Sequence, residues 1–196
     1  MLINTDFEVA EPIDAVWAFF GDIPQVAKCL PGAELTGHDD DTYSGNVLVR
    51  LGPVKLEFTG SALIKERNDA AKLIVVDAAG AEKKGRGQAA LLLTAKLSAT
   101  PGGTRVEVGQ DLQLSGAAAQ YGRGMIADVT SVLMADFAIN MQRRLAAIAR
   151  GQSPDAVAGV KPASGLTIGL RAVRMALARV LRRFFLPYPP HQPRTS

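Results

Sequence analysis

The side chains that most often do chemistry in proteins are few and scattered in this chain. Its single cysteine, Cys29, precedes Leu30-Pro31-Gly32, and its two histidines, His38 and His191, lie far apart. One thiol excludes an intramolecular disulfide and a cysteine-built zinc site, and two distant imidazoles form no metal cluster. A Cys29–His38 nucleophile pair is compatible with the count. His38, however, runs into Asp39-Asp40-Asp41, the composition of a turn, and a small buried thiol is the simpler reading of Cys29. Neighbouring carboxylates such as Glu8 with Glu11 fall at strand ends or turns, where they are solvated. No acid and base that converge on one place can be named, so general acid–base catalysis lacks its residues.

Two segments fit a Gly-x-Gly-x-x-Ala phosphate cradle. The first, Gly85, Gly87 and Ala90, leads into Leu91, Leu93, Ala95 and Leu97 at strand spacing, with no helix N-terminus to face a phosphate. The second, Gly122, Gly124 and Ala127, opens a helix, but no strand and terminal acid follow to complete a dinucleotide unit. Glycine at both places serves a turn or a close backbone approach. The polar residue that stands out is Gln110, in phase with Val106, Val108, Leu112 and Leu114 on what the alternation makes a buried face. A buried amide without a partner costs about 1–3 kcal/mol, so it requires a ligand carbonyl, a backbone group or a buried water.

The elements that hold these residues follow from periodicity and turn chemistry. At 196 residues, 47% of them hydrophobic and 21% charged, the chain is long enough for one domain of roughly 150 residues and an appendage. Residues 2–9 read as a first strand. Pro12 starts a helix through Ile13, Val16, Trp17 and Phe20, and Pro24 starts a shorter one that Pro31-Gly32 stops. From Ala33 to Ser115, runs that alternate apolar and polar residues are broken at Asp39–Asp41, Gly52-Pro53, Asn68-Asp69 and Pro101–Gly103. Alternation with short turns predicts an antiparallel meander of about six strands with one wet face. A long helix, Ala118 to Ala149, then carries Ile126, Val129, Leu133, Phe137 and Met141 on one stripe. The predicted fold class is α+β: a strongly bent antiparallel sheet of about seven strands wrapped round a long helix. The space between them is either packed core or a ligand cavity. Its candidate lining is Trp17, Phe20, Phe58, Gln110, Tyr121, Met125, Val129, Leu133 and Phe137.

Charge divides the chain. Residues 1–150 hold 15 basic and 18 acidic residues, whereas residues 151–196 hold seven basic residues and one acid, Asp155. A mildly acidic body excludes a nucleic-acid-binding domain. Residues 151–165, rich in Gly, Ser, Pro and Ala, read as a flexible linker, and residues 187–196 as a Pro-rich disordered tail. Between them, residues 166–186 predict an amphipathic helix. Its apolar stripe includes Leu170, Val173, Leu177, Leu181 and Phe184, and its polar face carries Arg171, Arg174, Arg179, Arg182 and Arg183. Arg174 and Arg179 would fall near mid-bilayer in a span, so the helix is expected to lie on an anionic membrane surface. A helix docked on its own domain or on a partner is the other reading. With no secretory signal at the N-terminus, the cytoplasmic face of the inner membrane is the expected location.

Over about residues 1–150 the pattern resembles the START-like helix-grip superfamily, and within it the family of the carbon monoxide dehydrogenase subunit CoxG. The resemblance rests on Ala27-Lys28-Cys29-Leu30-Pro31-Gly32-Ala33, Gly52-Pro53-Val54, Gly85-Arg86-Gly87 and Gly116-Ala117-Ala118-Ala119-Gln120-Tyr121-Gly122, in that order. One departure is Ile23, which separates Asp22 from Pro24 where the family has an Asp-Pro pair. The resemblance implies a non-catalytic accessory protein of a molybdenum-containing carbon monoxide dehydrogenase-type hydroxylase. It would bind a hydrophobic ligand, a quinone (menaquinone or ubiquinone), without a covalent cofactor, and hold the enzyme at the membrane in support of electron transfer. A small cyclase or hydrolase, or a general lipid carrier, would use the same cavity.

Overall fold

The computed structural model describes residues 1–156. The linker beyond Ala156, the predicted helix 166–186 and the tail 187–196 lie outside the described residues. The seven strands are β1 (Leu2–Val9), β2 (Ala33–Asp39), β3 (Thr42–Leu51), β4 (Val54–Asn68), β5 (Leu73–Glu82), β6 (Gln88–Thr100) and β7 (Gly103–Leu114). They form one antiparallel sheet in the order β1-β7-β6-β5-β4-β3-β2. Helices α1 (Ile13–Gly21) and α2 (Ile23–Cys29) follow β1, and α3 (Arg123–Ala149) follows β7. The expected α+β helix-grip architecture is therefore the observed one.

The sheet can bend sharply because small residues cross it in register. Gly45 pairs with Gly60, Gly60 with Gly80, and Gly80 with Ala89. A Cβ on Gly60 would lie 2.0 Å from the Ala79 carbonyl oxygen, so only glycine lets β4 and β5 fold over each other there. Irregular register between Leu35 and Gly37 and between Ile64 and Glu66 adds local twist.

The last helix begins later than the sequence predicts, at Arg123 and not Ala118. The backbone before it is already engaged: Ala117 N–H donates to the Arg86 carbonyl at 2.6 Å, and Ser115 N–H donates to the Gln88 carbonyl at 2.9 Å. Gly116 takes φ +67° and a single 3-10 turn, Gly116–Gln120, carries the chain to Gly122, which precedes α3. At ~1.5 Å per residue the 27-residue α3 is ~40 Å long.

Helix α3 lies against β1 and β3, strands at or next to opposite edges of the bent sheet. Phe7 of β1 meets Phe137 edge-on at 6.0 Å, and Ala10 N–H donates to Gln142 Oε1 at 2.7 Å. One end of the interior is filled by α1 and α2, whose Val16, Phe19 and Cys29 pack with Leu97, Val106 and Met141. Fully burying side chains of this kind contributes ~1.5–3 kcal/mol each. After α3, Arg144 donates to Gln25 Oε1 at 2.7 Å and to the Pro154 carbonyl at 3.1 Å, while Lys28 pairs with Asp155 at 2.7 Å. The first residues beyond Arg150 are thus held against α2 and α3.

Candidate functional site

The inner face of the sheet is packed at one end and accessible at the other. Ala95, Leu97, Val106 and Val108 are buried under α1 and the second half of α3. Farther along the same strands, inward-facing Leu91, Leu93, Leu112, Ala78 and Ala89 are only half-buried. Because α3 touches the sheet near its edges, its side chains leave the middle strands incompletely covered. A second apolar cluster closes the far side of this space, built on Leu51, Leu56, Ala118 and Val129 with Phe58, Tyr121 and Leu133 against it. Where β4 to β7 bend, a groove of about 570 Å³ runs past Gly60, Gly80, Ala89 and Leu114. That volume falls in the range of small-molecule sites.

Gln110 lies on the inner face with 7% of its surface exposed, and its Nε2 has no hydrogen-bond partner. Thr5, on the neighbouring strand, also buries an unpartnered hydroxyl oxygen. Ile3 pairs with Gln110 and Thr5 with Val108, so both polar groups share one stretch of the β1–β7 ladder. Strands rise ~3.3 Å per residue and helices ~1.5 Å. Counting back from the Phe7–Phe137 contact places Ile3 and Gln110 level with the turns of α3 that carry Val129 and Leu133. The result is an amide donor without a partner inside an otherwise apolar space.

The sequence-predicted lining divides. Phe58, Tyr121, Val129 and Leu133 gather in the cluster beside the accessible space. Trp17, Phe20 and Phe137 belong to the packed end. There the Trp17 indole N–H donates to Asp69 at 2.6 Å and its ring lies 4.7 Å from the Arg67 guanidinium, so its polar edge is already satisfied. Met125 is 48% exposed on the first turn of α3 and stands at the rim instead of inside. A residue in phase on a helical stripe can still lie beyond the last strand that would cover it.

The β5–β6 hairpin contributes residues that the sequence reading passed over. Glu82 is buried and accepts hydrogen bonds from Lys84 N–H, Arg86 N–H and the Arg86 guanidinium, the last at 2.6 Å. The Arg86 hydrogen bond, with the two backbone donors, holds the Glu82 carboxyl down to about 2. Arg86 also donates to the Lys55 carbonyl at 3.0 Å and so ties the β3–β4 and β5–β6 hairpins together. The signal was available: Glu82 continues the inward phase of Ala78 and Gly80, which no solvated turn acid would do. Thr5 was visible in the same way, between Ile3 and Phe7.

The reactive readings have no support in the geometry. Burial pushes the Cys29 thiol up to about 12, against a smaller opposing effect of Arg144, and its Sγ–H donates to the Gln25 carbonyl within its own helix. His38 stacks on Tyr43 at the β2–β3 hairpin. Among the described residues, no group of three or more His, Cys, Asp or Glu side chains could hold a metal ion.

A family model described as the carbon monoxide dehydrogenase subunit CoxG matches residues 6–146. No curated protein matches the chain. Solved structures share the fold at low identity. A conserved protein from Geobacillus kaustophilus is 19% identical with a TM-score of 0.67, over 74% of this chain and 95% of that one. Protein Ms6760 from Mycobacterium smegmatis is 17% identical with a TM-score of 0.53, over 75% and 92%. An aromatase/cyclase from Streptomyces sp. R1128 is 12% identical with a TM-score of 0.51, over 74% and 95%. The same backbone therefore appears in at least one protein named as an enzyme, and fold alone does not choose a function.

Proposed function

Because the chain belongs to the CoxG family of carbon monoxide dehydrogenase subunits, we propose that it is a non-catalytic accessory protein that binds a quinone for a molybdenum-containing hydroxylase of the carbon monoxide dehydrogenase type. The observation that carries this reading is the unpartnered Nε2 of buried Gln110, an amide donor facing an accessible apolar interior. A quinone matches that chemistry: its carbonyl accepts the hydrogen bond, and its ring and isoprenoid chain lie against Phe58, Tyr121, Val129 and Leu133. Redox chemistry belongs to the partner enzyme; this chain binds, orients and shields. The basic, amphipathic residues 166–186 would hold the complex at the cytoplasmic face of the inner membrane.

Mass spectrometry of an organic extract of the natively purified protein identifies the ligand directly, and menaquinone or ubiquinone is the expected species. A phospholipid or fatty acid in its place would make the protein a general lipid carrier and overturn the quinone reading. Titration with quinone then locates the site. Gln110→Leu is expected to weaken binding about tenfold, the value of one buried hydrogen bond. Leu133→Trp fills the interior and is expected to weaken binding more than it weakens folding. Full affinity in both folded variants would sink this location.

A further inference from the structure

We propose that the rim of the accessible interior is a docking surface for anionic lipid, so that the domain meets a bilayer mouth first. Meandering strands place alternate hairpins at opposite ends of a sheet. The β3–β4 and β5–β6 hairpins and the β7–α3 connection share one end, beside the cluster of Leu51, Ala118 and Val129. Residues 49–57, 82–88 and 115–125 there contain six basic residues (Arg50, Lys55, Lys83, Lys84, Arg86 and Arg123) and two acids, Glu57 and Glu82. Both acids are occupied, Glu57 by Lys83 and Glu82 by Arg86. Through the rest of residues 1–156 the balance reverses, with nine basic residues against seventeen acids. Many of those acids, including Glu11, Asp14, Asp40 and Asp69, occupy turns at the opposite end. A chain whose described part is acidic thus gathers its positive charge at one mouth.

Apolar groups project through the same collar. Pro53 is exposed at the β3–β4 tip, and Met125 is 48% exposed on the first turn of α3. Cations that ring exposed apolar tips fit a headgroup layer above acyl chains, with each Lys or Arg near an anionic leaflet attracted to it. An acidic protein face would reward the cations but would leave Pro53 and Met125 without an apolar phase. The purpose of the docking, direct exchange of a membrane-borne ligand, rests on the quinone reading, but the surface itself does not.

The test uses the full chain and vesicles of phosphatidylcholine with or without phosphatidylglycerol. Lys55→Gln, Lys84→Gln and Arg123→Gln together are expected to lower partitioning onto anionic vesicles at least about tenfold. The same charge change away from the rim, Lys96→Gln with Arg143→Gln and Arg150→Gln, should lower it less than about threefold. Orientation is read with brominated acyl chains. A tryptophan introduced by Met125→Trp should be quenched, while Trp17, buried at the packed end, should not. Equal losses from the two triple variants, or quenching of Trp17 alone, would overturn the proposal. So would collar variants that keep vesicle binding and lose the partner enzyme, which would mark the rim as a protein interface. Quinone binding is read in parallel without vesicles. A protein that docks but holds no quinone sinks the ligand reading alone; one that holds quinone but does not dock sinks the docking alone.

Discussion

At the scale of single residues, the interior is marked by polar groups whose state differs sharply. Gln110 is left unpaired, whereas Glu82 is saturated with donors. An unpaired buried amide destabilises the ligand-free protein, so Gln110→Leu should raise its stability by ~1–3 kcal/mol while it weakens quinone binding. Urea unfolding of the ligand-free variant checks this, and a stability loss would mean that Nε2 has a partner in solution. Glu82 gives a pH signature. Its folded-state carboxyl lies near 2 and its ordinary value is 4.5, so its contribution is fully present above 4.5 and is lost as pH falls toward 2. Glu82→Gln should therefore be less stable than the natural protein at neutral pH, and the difference should shrink between pH 4.5 and 2 in urea midpoints. Gln110 was legible because its strand has strict alternation. Glu82 was equally in phase, but it closes a strand beside Lys83-Lys84-Gly85, where an acid ordinarily belongs to a solvated turn.

Elements were legible from periodicity, and the junctions between them were not. Seven strands, their turns and all three helices lie where alternation, proline and glycine indicate, apart from the first turn of α3. That turn failed for a long-range reason: residues 115–117 are bonded to the β5–β6 hairpin almost thirty residues earlier in the chain. The glycine-rich segments Gly85-Arg86-Gly87 and Gly116-Ala117 are two sides of that one junction. A Cβ on Gly87 would lie 2.1 Å from the Ser115 oxygen, and one on Gly116 would lie 2.1 Å from the Arg86 oxygen. Sequence shows a glycine; only the fold shows what it must avoid. Gly116→Ala adds a left-handed residue to a backbone clash and should destabilise the protein by at least ~1–3 kcal/mol. Gly124→Ala, where a Cβ would meet nothing within 4 Å, is the matched control and should be neutral or better. Equal midpoints in urea would show that the junction gives way without cost.

At the scale of the whole molecule, the sheet and α3 behave as a clamp fastened along two edges. Membrane attachment of the full chain then has two separable contributions, the collar and residues 166–186. Leu177→Asp should reduce liposome flotation through the apolar stripe without changing the collar, and flotation unaffected by that change would favour a protein-docking role for the segment. Whether α3 closes down on the middle strands could not be read from apolar stripes, because a stripe reports which face turns inward and not how far it travels. The fastening at β1 and β3 leaves interior volume that unfolding would eliminate. Hydrostatic pressure favours the state of smaller volume, and the volume change of unfolding scales with the voids removed. The ligand-free domain should accordingly unfold at lower pressure than Leu133→Trp, whose added ring occupies the space. A bound quinone should raise the unfolding pressure of the natural chain more than that of the filled variant, so compression alone would report whether the clamp is empty or loaded.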